Sequence, residues 1–307
     1  MTSVWFFIAL VGPFMYALTN HIDKILLEKY FKDGGVGTLL LVSSLIAFLA
    51  LPFFFLMDPH VLDVSAMNIF ILAIVGILNV IVLWLYLLAL KDEEASVAVV
   101  FYQLMPVFGY ALGYLILDET LTQMQLIAMA IIIFGTTIIS FEVDEDNAFT
   151  LRTSTIALML GASLAWALES VIFKAVALEE NLWGTLFWEH LALAMCGVFI
   201  FTMSKSYRRH FLHALSENSR SILALNLLNE GLYLVGNVVF SFAYLLAPIA
   251  LVLLTESYQP LFVFAIGIFL TLFFPRITAE KIHARHLFQK ALAIIITGIG
   301  TYLLLTS

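Results

Sequence analysis

Glu230 and Glu256 place carboxyl groups inside long apolar stretches, each with polar neighbours at helical spacing. Asn226, Asn229, Glu230 and Tyr233 share one helical face through their i, i+3 and i+4 spacing. Glu256 is followed by Ser257, Tyr258, Gln259 and Pro260, and Pro260 removes the donor that would bond the Glu256 carbonyl, so a kink is predicted there. A carboxyl among apolar neighbours tolerates burial with a proton, a bound cation or hydrogen-bond donors. Two readings follow: a site for an amine or a coupling proton, or a neutral carboxyl bonded to a neighbouring helix for packing.

Glu169, Glu189-His190, His21, Asp23, Lys24 and Lys174 are the other ionisable groups in apolar segments. Glu189 and His190 open their segment and read as interfacial, and either lysine reads as an ion pair between helices or as snorkelling. His21 could relay a proton or serve as a polar packing residue. Tyr16, Asn79, Trp84, Tyr86, Tyr102, Gln103 and Asn237 add rings and amides, and rings beside carboxylates suit an organic cation or the amino group of an amino acid.

The solvent for these groups is lipid. Of 307 residues 63% are hydrophobic and 12% charged, with a mean hydropathy of +1.04, too few charges to coat a soluble protein of this size. A bilayer core takes about 20 helical residues to cross. Ten segments qualify: 4–27, 36–57, 67–90, 95–117, 122–141, 154–176, 183–203, 221–246, 249–274 and 287–305. None shows the period-2 alternation of a membrane barrel, so all are read as helices. Asp33-Gly34-Gly35, Pro52, Asp58-Pro59, Lys91-Asp92-Glu93-Glu94, Pro248 and Pro275 punctuate the connections.

The chain also repeats itself. Tyr16-Ala17-Leu18 and Lys24 recur as Trp166-Ala167-Leu168 and Lys174, and Gly37-Thr38-Leu39 as Gly184-Thr185-Leu186. Asn79-Val80 recurs as Asn237-Val238, Pro106 as Pro260 and Gly135 as Gly298, all in the same order. The expected domains are a first five-span repeat at 1–141, an acidic linker at 142–153 and a second five-span repeat at 154–307. Five spans per copy make the copies antiparallel, giving an all-α membrane protein of ten transmembrane helices in two inverted repeats. Because Glu169, Glu189, Glu230 and Glu256 all fall in the second copy, that half is expected to supply the charge. The first-copy equivalents are Thr19, Val42, Leu72 and Tyr102.

Charge sets orientation. Lys29, Lys32, Lys91, Arg152, Lys205, Arg208, Arg209, Arg220, Arg276, Lys281, Arg285 and Lys290 fall after spans one, three, five, seven and nine, which places both termini outside the cytoplasm. The first span lacks the basic start and cleavage site of a signal peptide. Cys196 is the only cysteine, so no intramolecular disulfide forms, and no Cys/His spacing for a metal or haem is present. A net charge of -8 argues against nucleic acid. No H-E-x-x-H or G-x-S-x-G pattern occurs, and neither an enzyme nor a cofactor is expected. Gly109 and Gly113 form a G-x-x-x-G that allows close helix approach inside the bundle.

The stretch Ala95-Ser96-Val97-Ala98, then Gln103-Leu104-Met105-Pro106-Val107-Phe108 and Leu117-Asp118-Glu119-Thr120-Leu121-Thr122, resembles the drug/metabolite transporter superfamily. It is most similar to the ten-span EamA-type permeases. Asp118 stands where that turn usually has glycine, and Thr120 where it has a cation. The resemblance implies transport of a small solute across a membrane, expected to be a bacterial inner membrane, with termini in the cytoplasm against the charge count. A secondary carrier of an amine or amino acid, working by alternating access with protons as candidate coupling ions, is the first expectation. A non-transporting scaffold or accessory subunit is the second. The expected site comprises Glu256, Glu230, Glu169, Tyr233, Asn229, Gln103, Tyr102, Tyr16, Asn79, Asn237, Ser257, Glu189, His190 and His21. Pro106, Pro260, Gly109 and Gly113 are expected to shape it.

Overall fold

The computed structural model describes residues 4–26, 35–92, 102–140, 153–273 and 284–307, and every regular element among them is helical. In chain order these are α1 (Val4–Ala9), α2 (Val11–Ile25), α3 (Gly35–Met57), α4 (Ala66–Asp92), α5 (Met105–Leu117) and α6 (Gln123–Ser140). Then come α7 (Thr153–Glu179), α8 (Leu182–Met203), α9 (Lys205–Tyr244), α10 (Ile249–Thr255), α11 (Gln259–Phe273) and α12 (Ala284–Thr306). Among the described residues seven segments are long and apolar enough to cross a membrane: Val4–Asp23, Val36–Met57, Ala66–Ala89, Thr155–Glu179, Leu182–Met203, Leu223–Tyr244 and Ile249–Phe273. Met105–Leu117, Gln123–Ile138 and Ala291–Thr306 are shorter apolar helices. The start of the fourth predicted span and the acidic run 142–152 lie outside the described residues.

The outer surface is apolar. Phe7, Leu56, Met67, Phe70, Leu115, Phe134, Met203 and Phe273 are all exposed, a surface that suits hydrocarbon and not water. The chain is an integral, multi-pass membrane protein.

Prolines set the breaks. Pro13 cannot donate to the Ala9 carbonyl, and α1 stops at Ala9 with Leu10 as a turn. Pro260 does the same for Glu256: α10 ends at Thr255, a 3₁₀ turn covers Glu256–Tyr258, and α11 starts at Gln259. Pro106 stands in the first turn of α5, where a missing donor costs nothing. Pro52, expected to punctuate a connection, lies instead inside α3, which runs on to Met57. The expected loop around Lys205 is also helix. Ser204 alone separates α8 from α9, its hydroxyl accepting from the Tyr207 amide at 3.3 Å, and α9 then runs unbroken for 40 residues, about 60 Å.

The helices of the first half pack chiefly against those of the second. The main pairs are α6 with α12, α4 with α7, α3 with α8 and α2 with α9. Next come α4 with α8, α5 with α7, α3 with α9, α5 with α10 and α2 with α11. A side chain on Gly135 would meet the Thr297 hydroxyl and backbone, and one on Gly300 would meet Ile132. Gly135 and Gly300 therefore make mirrored contacts across the α6–α12 crossing. Gly298, expected as the match to Gly135, has nothing within 4 Å of a built Cβ.

Candidate functional site

Between the halves lies a cavity of about 140 Å³, enough for on the order of ten water-sized volumes. Three helices supply most of its wall through one stripe each. Tyr16, Thr19, Asn20 and Asp23 come from α2, and Asn79, Leu83 and Tyr86 from α4. Glu230, Tyr233, Asn237, Ser241 and Tyr244 come from α9, and α7 adds Trp166 and Glu169. These i, i+3, i+4, i+7 spacings put whole polar faces on otherwise apolar helices.

Its carboxyl groups are met by neutral donors. Ser43 of α3 donates to Glu230 at 2.5 Å, and Asn229 donates to Asp23 at 2.8 Å. Asn79 donates to Glu189, buried just behind the wall, at 3.5 Å. The rings interlock. Tyr16 lies 5.4 Å from Tyr233 and 6.3 Å from Trp166, and Tyr102 lies 5.3 Å from Trp166 and stacks on Tyr86 at 5.8 Å. Tyr244 shares a 3.0 Å hydrogen bond with Ser170. Among the described residues the cavity wall contains no lysine, arginine or histidine.

Residues 3–141 match the EamA-like transporter family. The likeness to that family thus covers a little under half of the chain. No curated protein matches it. A crystal structure of a protein 13% identical in sequence aligns over 99% of this chain and 96% of its own, with a TM-score of 0.62, a likeness of fold alone.

The fold brings together Tyr16, Tyr102, Asn79, Asn237, Glu169, Glu230 and Tyr233 on the cavity wall and puts Asn229 behind Asp23. The other expected residues stand elsewhere. His21 turns away to the Val263 carbonyl of α11, 3.1 Å from Nε2. Glu189 and His190, expected at the interface, are buried at 1% and 4% exposure, the histidine held by the Leu186 carbonyl at 2.9 Å and the Phe54 ring. Gln103 accepts from Thr136 at 2.8 Å. Glu256 and Ser257 are buried off the cavity, with no hydrogen-bond partner for either Glu256 oxygen or for the Ser257 hydroxyl. Trp84 is 41% exposed on the outer surface and does not join the wall. Gly109 and Gly113 let α5 lie against Leu253 and Ile249 of α10.

The division of labour between halves also differs from expectation. Asp23, from the first half, faces the same cavity as Glu230, so both halves supply charge. Its partner Asn229 is 206 positions away, which no local spacing reveals. Lys174 forms its ion pair with Glu119 away from the cavity and donates to the Ala247 carbonyl at 2.7 Å. Glu119 also accepts from the Ile249 amide at 2.6 Å, tying the α5–α6 turn to the start of α10. In that turn Asp118 has φ 54, a left-handed conformation that explains why the related turn favours glycine.

Proposed function

We propose that this protein is a secondary carrier of small organic cations, built as ten spans in two inverted halves of five. The observation that carries the reading is the cavity wall: Asp23, Glu169 and Glu230 set among Tyr16, Tyr86, Tyr102, Trp166, Tyr233 and Tyr244. The carboxyls of Asp23 and Glu230 are held by neutral donors with no cation paired to them, which leaves them to a cationic ligand, and ring faces attract the same cation. An amino acid would bring a carboxylate into this acidic space without a cation to meet it, so the amine reading is favoured over the amino-acid one.

Reciprocal packing supports the inverted arrangement. The pairing of α2 with α9 and α11 has its counterpart in α7 with α4 and α5, while α3 with α8 and α6 with α12 are their own counterparts. Rocking one half against the other would expose the cavity to each side in turn. The repeats are 1–141 and 154–307, with 142–153 between them, and a bacterial inner membrane is the proposed location.

Thermal unfolding of purified protein against matched cations, zwitterions and anions tests the reading. Cations are expected to raise the midpoint in proportion to the logarithm of their concentration. Stabilisation by anions, or by nothing in the panel, would sink it in favour of a scaffold.

A further inference from the structure

Glu256 is 2% exposed, neither of its oxygens has a hydrogen-bond partner among the described residues, and it does not line the cavity. All residues from Ile249 to Pro260 are buried. The elements packed on its turn are α2, α6, α10 and α11. Of these α6, α10 and α11 carry no ionisable side chain. The titratable groups near Glu256 are Tyr16 of α2, Tyr102 just before α5 and Tyr244 of α9, with Tyr258 on the same turn. Of the other ionisable residues of α2, His21 is held at the Val263 carbonyl and Asp23 by Asn229, and the Lys24 side chain lies outside the described ones. No cation pairs with Glu256 among the described residues. An ionised carboxyl here would be unpaired in a dry interior, so Glu256 carries its proton in this conformation.

We propose that Glu256 is a proton-binding site separate from the cation cavity, and that it couples the carrier to a pH gradient. This rests on the cation-carrier reading and adds the coupling ion to it. The turn has the means to move. Its backbone is a 3₁₀ segment beside Pro260, where the helical ladder is already broken. Gln259, three residues on, lines the cavity, so filling the cavity and moving the turn are mechanically linked. When the turn opens to water on one side, the Glu256 O–H bond breaks, the proton passes to water and a carboxylate remains. After the halves rock, water on the other side returns a proton and the neutral turn closes again. Each full cycle conserves the carboxyl group and moves one proton, released on one side and taken up on the other.

Two variants and three readouts test this. In infrared difference spectra at neutral pH, wild type minus E256Q should show a protonated carboxyl C=O band that shifts in D₂O. Its absence overturns the proposal whatever the protein transports. In proteoliposomes loaded with tetramethylammonium, a permanent cation, a gradient of about one pH unit should support up to about tenfold accumulation by the wild type at one proton per cation. E256Q should still exchange tetramethylammonium across equal pH and lose that accumulation. Retained accumulation, or loss of exchange together with accumulation, overturns the separation of sites. E256M guards against misfolding: replacing an unpartnered carboxyl by an apolar chain of similar shape should leave the unfolding midpoint unchanged or higher. A marked fall would mean that Glu256 holds the fold together and is no proton site. Absence of any tetramethylammonium binding by the wild type would defeat the cation reading alone, and the infrared band would still decide for Glu256.

Discussion

Asp23 and Glu230 illustrate how a carboxyl is held inside a bilayer without a paired cation. Each accepts from a neutral donor, Asn229 at 2.8 Å and Ser43 at 2.5 Å, which fixes the carboxyl without cancelling it. D23N and E230Q should each weaken cation binding by about 10- to 100-fold, the loss of one charge-assisted hydrogen bond of about 1.5–3 kcal/mol. Titration calorimetry checks this, and an unchanged affinity in either variant would remove that residue from the site. Glu230 was legible in the sequence because its polar companions recur at helical spacing within a few residues. Asp23 was visible as an ionisable group but not as half of a site, because its donor comes from the other end of the chain. Glu256 was legible as an odd carboxyl beside a proline. Its isolation from the cavity was not, since depth within a bundle depends on which helices cover it.

The elements are held in register by close crossings and by polar ties at their ends. Gly135→Ala and Gly300→Ala would drive a methyl to within 2.8 Å of the Thr297 backbone and 2.7 Å of Ile132, respectively. Each should cost about 1–3 kcal/mol, as overpacking does. Gly298→Ala meets nothing within 4 Å and should stay within about 0.5 kcal/mol of wild type. Unfolding midpoints in lipid or detergent would separate the two outcomes, and equal effects would refute the crossing. At the α7–α8 turn Glu180 accepts from Asn68 at 2.7 Å and from the Ser65 amide at 3.1 Å. The Asn68 hydrogen bond, then that of Ser65, holds its carboxyl below the usual range. A lowered native value contributes stability above the ordinary carboxylate pKa and loses it as pH falls through the native one. E180Q should therefore flatten the acid side of a midpoint-against-pH curve, by a small amount because the group is exposed. Helix existence was readable from apolar length. The 40-residue α9 was not, because its first turns are charged and read as a loop, although a helix that leaves the bilayer needs no apolar face there.

For the whole molecule, duplication and composition pointed to the membrane and to two matched halves. At the α6–α12 crossing it is Gly300, not the Gly298 that matches Gly135 in sequence, that lies against the facing helix. The basic residues after odd-numbered spans predict that a fluorescent reporter fused after Ser307 stays dark outside the cytoplasm, and bright cytoplasmic fluorescence would invert the assignment. The central claim is that charge, not shape, admits a solute to the cavity. Titration calorimetry with choline and with its uncharged isostere, in which a quaternary carbon replaces the nitrogen, compares charge at constant shape. The account predicts that choline binds the wild type at least about tenfold more tightly than the isostere, as a desolvated cation among ring faces and carboxylates should. It also predicts that this preference disappears in the D23N/E230Q double variant. Equal affinity for the two compounds, or a preference that survives both substitutions, would contradict it.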